Sequence, residues 1–155
     1  MTLFQAHKIH RGRKIETRLT YFSESIPDLP ALKHGRTLEP IARKRFEEIV
    51  GCPIFVPGLV IRPAKPWLGA SPDGAYLDEN GQLKLLEIKC PVPKDGKDIF
   101  DVTFLDKNYE LKRSHDYFTQ IQVAMYCCKA KECDFFVYSP DKYKLLTVKY
   151  DHGYT

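Results

Sequence analysis

Residues 68–92, LGASPDGAYLDENGQLKLLEIKCPV, decide how this chain folds. Leu68–Leu77 and Gln82–Val92 read as two strands flanking Asp78-Glu79-Asn80-Gly81. Asn-Gly is a strong hairpin signal, because both residues tolerate the left-handed backbone that a tight turn needs. Successive side chains on a strand point to opposite faces, so Glu87 and Lys89 share one face while Leu86 and Ile88 take the other. Asp73 opens the partner strand, and the turn can bring its carboxylate near Glu87. Two carboxylates converging on a low-dielectric site repel unless a cation lies between them. Oxygen donors with no nearby Cys or His pair favour Mg²⁺, with Mn²⁺ as a substitute, over zinc. A lysine beside such a cation suits phosphodiester hydrolysis: the metal acidifies a water, and the ammonium orients it or stabilises the developing charge. A Glu-x-Lys triplet by itself reads better as a salt bridge on an exposed sheet face, because such triplets are everywhere. It is Ser71-Pro72-Asp73-Gly74 before it and Cys90-Pro91 after it that point to catalysis.

Outward from the hairpin, Leu38, Ile41, Ala42, Phe46 and Ile49 recur at helical spacing and predict a helix from about Thr37 to Val50, stopped by Gly51. Pro40 fits that helix only near its start, and residues 21–32 read as an irregular connection. Ile54–Arg62 reads as an extended segment, and Trp67 is expected to pack beneath the hairpin. Lys94–Asn108 is charged and loop-like. Phe118, Ile121, Ala124, Met125 and Cys128 predict a second amphipathic helix over His115–Lys129, and Asp134–Tyr138 and Leu145–Tyr150 predict two closing strands. The expected fold is α/β, a central mixed sheet flanked by helices.

A chain of 155 residues with 43% hydrophobic content suits one compact domain. The start, MTLFQAHKIHRGRK, lacks the apolar core of a secretory signal, and no apolar run is long enough to span a membrane. The five cysteines show no CxxC or zinc-finger spacing, and Cys127 and Cys128 are adjacent. They read as free thiols in an intracellular, reducing compartment. The net charge of +4 sits at one end: residues 1–20 carry Lys8, Arg11, Arg13, Lys14 and Arg18 against Glu16 alone. A basic arm of this kind suits a polyanion such as DNA. A solvated terminus would show the same charge pattern.

Four blocks in order then resemble one family. GASPDG…LLEIKCP looks like the active-site hairpin of the lambda-exonuclease, or YqaJ-type viral recombinase, branch of the PD-(D/E)xK nucleases. HGRTLEPIAR resembles that family's G-x-x-x-E-x-x-A-R helix, and Tyr117-Phe118-Thr119-Gln120-Ile121-Gln122 its Y-x-x-Q-x-Q helix. The resemblance runs from about Gly35 to Tyr150 and implies a restriction-endonuclease-like fold, with residues 35–155 as a nuclease domain and 1–34 as the arm and connection. It implies a catalytic set of Asp73, Glu87 and Lys89, with metal held by Asp73, Glu87, the Ile88 main-chain carbonyl and Glu39. DNA contacts would come from Ser71 and Gln120, joined by Arg11, Arg13, Lys14 and Arg18 of the arm. The implied activity is Mg²⁺-dependent 5′→3′ exonucleolysis at linear double-stranded ends; a homo-oligomer and a single-strand annealing protein as partner are compatible with it. Tyr117 reads as core or function alike, and Gln122 as a helix-surface residue. Family members carry a longer N-terminal region whose arginine grips the terminal 5′ phosphate. Here 34 residues precede Gly35 and no arginine aligns with it, so weak end preference is expected. A structure-specific or nicking endonuclease of the same fold, or a non-catalytic DNA-binding relic, are the alternative readings.

Overall fold

The computed structural model describes residues 30–93 and 97–154. The arm residues Arg11, Arg13, Lys14 and Arg18 lie outside the described residues. The elements in order are α1 (Pro30–Val50), β1 (Val60–Arg62), β2 (Lys65–Ala70), β3 (Gly74–Leu77), β4 (Leu83–Lys89), α2 (Asp116–Cys128), β5 (Glu132–Tyr138) and β6 (Tyr143–Lys149). β3-β4-β5-β6 form a four-stranded sheet in that order, and β1-β2 form a separate two-stranded ribbon. The β4/β5 pair is parallel and the other pairs are antiparallel, so the central sheet is mixed, as expected. α2 supplies the crossover that a parallel pair requires.

Both faces of the sheet are covered, which is why β5 is buried from Cys133 through Tyr138 and β4 from Leu85 through Ile88. Ala42 and Phe46 of α1 pack with Tyr76, Leu86, Ile88 and Phe136. Ile121, Ala124 and Met125 of α2 pack with Ala75, Leu85, Phe135 and Val137 on the opposite face. The turn between β3 and β4 forms as the Asn-Gly step predicts: Gly81 has φ of 72°, and Asp78 accepts from the backbone of Asn80 and Gln82.

Four expectations need correction. α1 begins at Pro30, seven residues before Thr37, and Pro40 therefore lies inside the helix. Pro30 is its first residue, a position where proline's missing N–H has no intrahelical partner to lose. The Thr37 hydroxyl donates to the Lys33 carbonyl at 2.9 Å, one turn before the proline. Leu68–Leu77 is not one strand. It breaks at Ser71-Pro72-Asp73, so β2 belongs to the ribbon and β3 to the main sheet. Of Ile54–Arg62 only β1 is a strand, with Phe55 bridging singly to Ala75. Trp67 is not beneath the hairpin. It is 69% exposed, because Val60, Leu68 and Ala70 take the inward face of the ribbon, against the α2 side of the core.

Candidate active site

The break between β2 and β3 creates the site. β3 starts at Gly74, paired with Leu86, so Glu87, Ile88 and Lys89 run on past its end. Asp73 stands in that gap, and its Oδ2 accepts from the Ile88 N–H at 2.7 Å. Gly74 is needed beside it: a Cβ there would lie 2.5 Å from Ile54 Cγ2 and 3.3 Å from Leu86 Cβ. Glu87 and Lys89 lie on the α2 face, as the alternation predicts, with Leu86 and Ile88 on the α1 face. Lys89 Nζ pairs with Glu87 Oε1, which also accepts from Gln120 Nε2 at 2.5 Å.

α1 contributes from the other side. Arg43 donates through Nε to the Asp73 carbonyl at 2.8 Å and through Nη2 to Glu39 Oε1 at 2.5 Å. One guanidinium thus ties the helix to the start of β3 and holds Glu39. The His115 side chain caps α2 by accepting from the Tyr117 N–H at 3.2 Å. That places Tyr117 in the first turn, with its ring 4.5 Å from Lys89 Nζ.

Glu39, Asp73, Glu87, Ile88, Lys89 and Gln120 all line one cleft of about 350 Å³. Ser71 is exposed and is not among its lining residues. Arg43 stands in the quoted helix motif, but its reach to Asp73 crosses 30 residues of sequence and nothing local announces it. Gln122 is fully buried, not on the helix surface: it donates to the Lys149 carbonyl and accepts from the Asp151 N–H, latching α2 to the end of β6.

The electrostatics are those of crowded charge in a dry place. Burial, then the Glu87 carboxylate, push Asp73 up to about 7, against the opposing pull of Lys89 and the Ile88 N–H. Burial works to depress Lys89, but Glu87 and Asp73 outweigh it and hold the ammonium charged well above its ordinary range. Lys89 is therefore a fixed cation and not a proton acceptor. Burial, with Glu39 and Asp73, pushes the Cys90 thiol up to about 11, so it is no thiolate nucleophile at neutral pH. Among the described residues, no three His, Cys, Asp or Glu side chains are grouped so as to hold a metal by themselves. No helix among them is long and apolar enough to cross a membrane.

None of the curated proteins matches the chain closely enough to count as a relative. Among solved structures it is similar to an alkaline exonuclease, LHK-Exo, from Laribacter hongkongensis. That protein's complex with dAMP superposes with a TM-score of 0.74 at 25% identity, over 99% of this chain and 78% of that one. A second structure of the exonuclease gives 0.71 at 26% identity, with the same coverage. The model of the YqaJ-like viral recombinase domain matches residues 5–131, reaching back well ahead of Gly35, where the motif resemblance begins. With that match spanning most of its length and the family's motifs meeting in one cleft, the chain belongs to the YqaJ-like viral recombinase domain family.

Proposed function

We propose that this protein is a Mg²⁺-dependent deoxyribonuclease that degrades linear double-stranded DNA from its ends, as a 5′→3′ exonuclease. The observation that carries the reading is the convergence of Asp73, Glu87 and Lys89 on one cleft, with Asp73 pushed up to about 7 by burial and by Glu87. A carboxylate so destabilised gains most from a cation bound beside it. Structural likeness to an alkaline exonuclease captured with dAMP supports a deoxynucleotide substrate.

The donor set fits Mg²⁺. This ion is typically held by one or two carboxylates, the rest of its shell being water and substrate phosphate oxygens. Asp73 and Glu87 supply two such groups, and the Ile88 carbonyl is a third donor. In extended backbone the N–H and C=O of one residue leave on the same edge, and the Ile88 N–H points at Asp73. Glu39, engaged by Arg43, would join through water. The bound ion would polarise the phosphodiester and acidify a water.

The remaining roles fall to the chain itself. Lys89, held between Glu87 and the Tyr117 face, orients the nucleophilic water and stabilises the charge developing on the phosphorus oxygens. Gln120 keeps the Glu87 carboxylate in position and has amide capacity left for a DNA oxygen. Arg43 fixes the backbone at Asp73.

The test uses one linear duplex with a 5′ phosphate, the same duplex with a 5′ hydroxyl, and a closed circle, each with Mg²⁺ and with EDTA. Degradation of both linear forms, modestly faster with phosphate, is expected, with the circle spared and no cleavage in EDTA. Cleavage in EDTA would remove the metal from the mechanism, and rapid cutting of the circle would make the protein an endonuclease.

A further inference from the structure

A second groove, of about 560 Å³, opens at the opposite end of the sheet from the cleft. The cleft lies at the C-terminal end of β4, whereas the groove is built where β5 begins, β6 ends and α2 ends. β4 and β5 are parallel, with Lys89 opposite Val137 and Lys84 opposite Glu132. At about 3.3 Å per residue the two places are therefore roughly 16 Å apart along the sheet.

Its lining is cationic. Arg62 comes from β1, Lys129 and Lys131 from the link between α2 and β5, and Lys149 from β6. Glu132 is the one acid in the lining, and its carboxylate is engaged by Lys84 at 3.3 Å. Arg62 is committed to the fold: it donates to the Tyr126 carbonyl at 3.1 Å and lies over the Tyr126 ring. Lys129, Lys131 and Lys149 are exposed, and none has an acidic partner among the described residues. A lysine just after a helix C-terminus is favourable by itself. That accounts for Lys129 and not for Lys149, which arrives on β6. Residues 21–155 carry equal numbers of acids and bases, so this concentration of unneutralised charge is local.

We propose that this groove binds the sugar-phosphate backbone of a single strand of nucleic acid, as a site separate from the cleft. Lys129, Lys131 and Lys149 contact phosphates, and the tyrosines Tyr126 and Tyr150 join Met125 and Ala130 in the apolar part of the lining. A groove of this size accepts about one or two nucleotides, and basic grooves with aromatic walls are the usual design for single strands. That the polyanion is nucleic acid rests on the nuclease reading, whereas binding by the groove does not.

The experiment measures binding of a labelled 20-nucleotide thymidine oligomer, and of a 20-base-pair duplex, by the full chain in EDTA across a salt series. Lys129, Lys131 and Lys149 are changed together to Gln. Each lost phosphate contact lowers the slope of log K against log salt by about 0.7 for a single strand, so a fall of about 2 is expected. Lys107→Gln, an exposed lysine outside the groove, should leave the slope nearly unchanged. Hydrolysis of the small chromogenic diester thymidine 5′-(p-nitrophenyl phosphate) with Mg²⁺ should be equal in the parent and the triple variant. An unchanged slope in the triple variant, a loss confined to duplex, or an equal loss per charge in Lys107→Gln would each overturn the proposal. If the parent degrades no linear duplex with Mg²⁺, the nuclease reading fails while the slope comparison still decides the groove.

Discussion

Two carboxylates are buried in adjacent strands of the sheet, Glu87 in β4 and Asp134 in β5, each 2% exposed. Asp134 pairs in register with Leu86 and Glu87 with Phe135, so the two acids face opposite helices. Asp134 accepts from the Tyr76 hydroxyl and from Thr147 Oγ1 at 2.7 Å, with Lys84 at 3.4 Å. Tyr76, Thr147 and Lys84 all come from strands of the same sheet, and Lys84 is shared with Glu132 at 3.3 Å at the sheet's far end. Glu87 shares its surroundings with Asp73, opens on the cleft, and leaves Asp73 raised to about 7. Burial of an acid therefore does not by itself mark a site. A second carboxylate, a shared cation and an opening to solvent do.

The largest difference should appear when one group is removed from each face. Lys89→Ala should lower the rate of DNA cleavage at least 10²–10³-fold, because a contact made to the transition state is lost. Its urea midpoint should move little relative to that. Asp134→Ala should do the reverse, costing about 3 kcal/mol of stability by stranding the buried Tyr76 hydroxyl and leaving Lys84 with Glu132 alone. The rate per folded molecule should be retained. Urea unfolding and single-turnover cleavage on the same preparations separate the two. Loss of activity in a fully folded Asp134→Ala protein would erase the distinction between the faces.

The half of this comparison that was legible in the sequence is the local half. The hairpin turn, the alternation that puts Glu87 and Lys89 on one face, and the limits of α2 follow from spacing within a few residues. Resemblance then named Glu39 and Gln120, and both line the cleft. What escaped depends on distance along the chain. The bond from Tyr76 to Asp134 spans 58 residues, and that from Arg43 to Asp73 spans 30. By local rules Pro40 belongs at the edge of a helix, whereas packing of Ala42 and Phe46 carries the helix through it. The break at Ser71-Pro72-Asp73 was hidden inside what looked like one strand, although it is what frees Asp73 to reach Ile88.

The contrast also has a pH signature in the metal-free protein. Between about pH 4 and 7 the folded protein keeps a proton on Asp73 that the unfolded chain has already released. Stability therefore falls as pH rises through that window, and above it both states are ionised and this contribution levels off. Lys89, raised well above its ordinary range, stays charged in both states here and adds no slope. Thermal midpoints in EDTA should drop from pH 5 to pH 8 more steeply for the parent than for Asp73→Asn. Mg²⁺ should raise the parent's midpoint more at pH 8 than at pH 5. Parallel curves for parent and variant would show that burial and Glu87 together do not raise Asp73.

The smallest expected effect concerns Tyr117, whose ring lies 4.5 Å from Lys89 Nζ. It also packs with Phe104 at 5.1 Å between ring centroids and sits within reach of Phe135 at 6.2 Å, so it is part of the core as well as a wall of the site. A cation over an aromatic face contributes about 0.5–2 kcal/mol, more where water is excluded. Tyr117→Phe keeps the ring and removes only the hydroxyl, and should leave cleavage within about twofold of the parent. Tyr117→Leu keeps apolar bulk but removes the face that holds Lys89, and a loss of about 1 kcal/mol of orientation corresponds to roughly fivefold in rate. The loss should fall on the rate of the chemical step in single-turnover cleavage and not on DNA affinity, because the charge on Lys89 is unchanged and only its position is relaxed. Equal losses in the Phe and Leu variants would assign the effect to the hydroxyl. Weakened DNA binding in the Leu variant with an unchanged chemical step would make Tyr117 a substrate contact and not the support of Lys89.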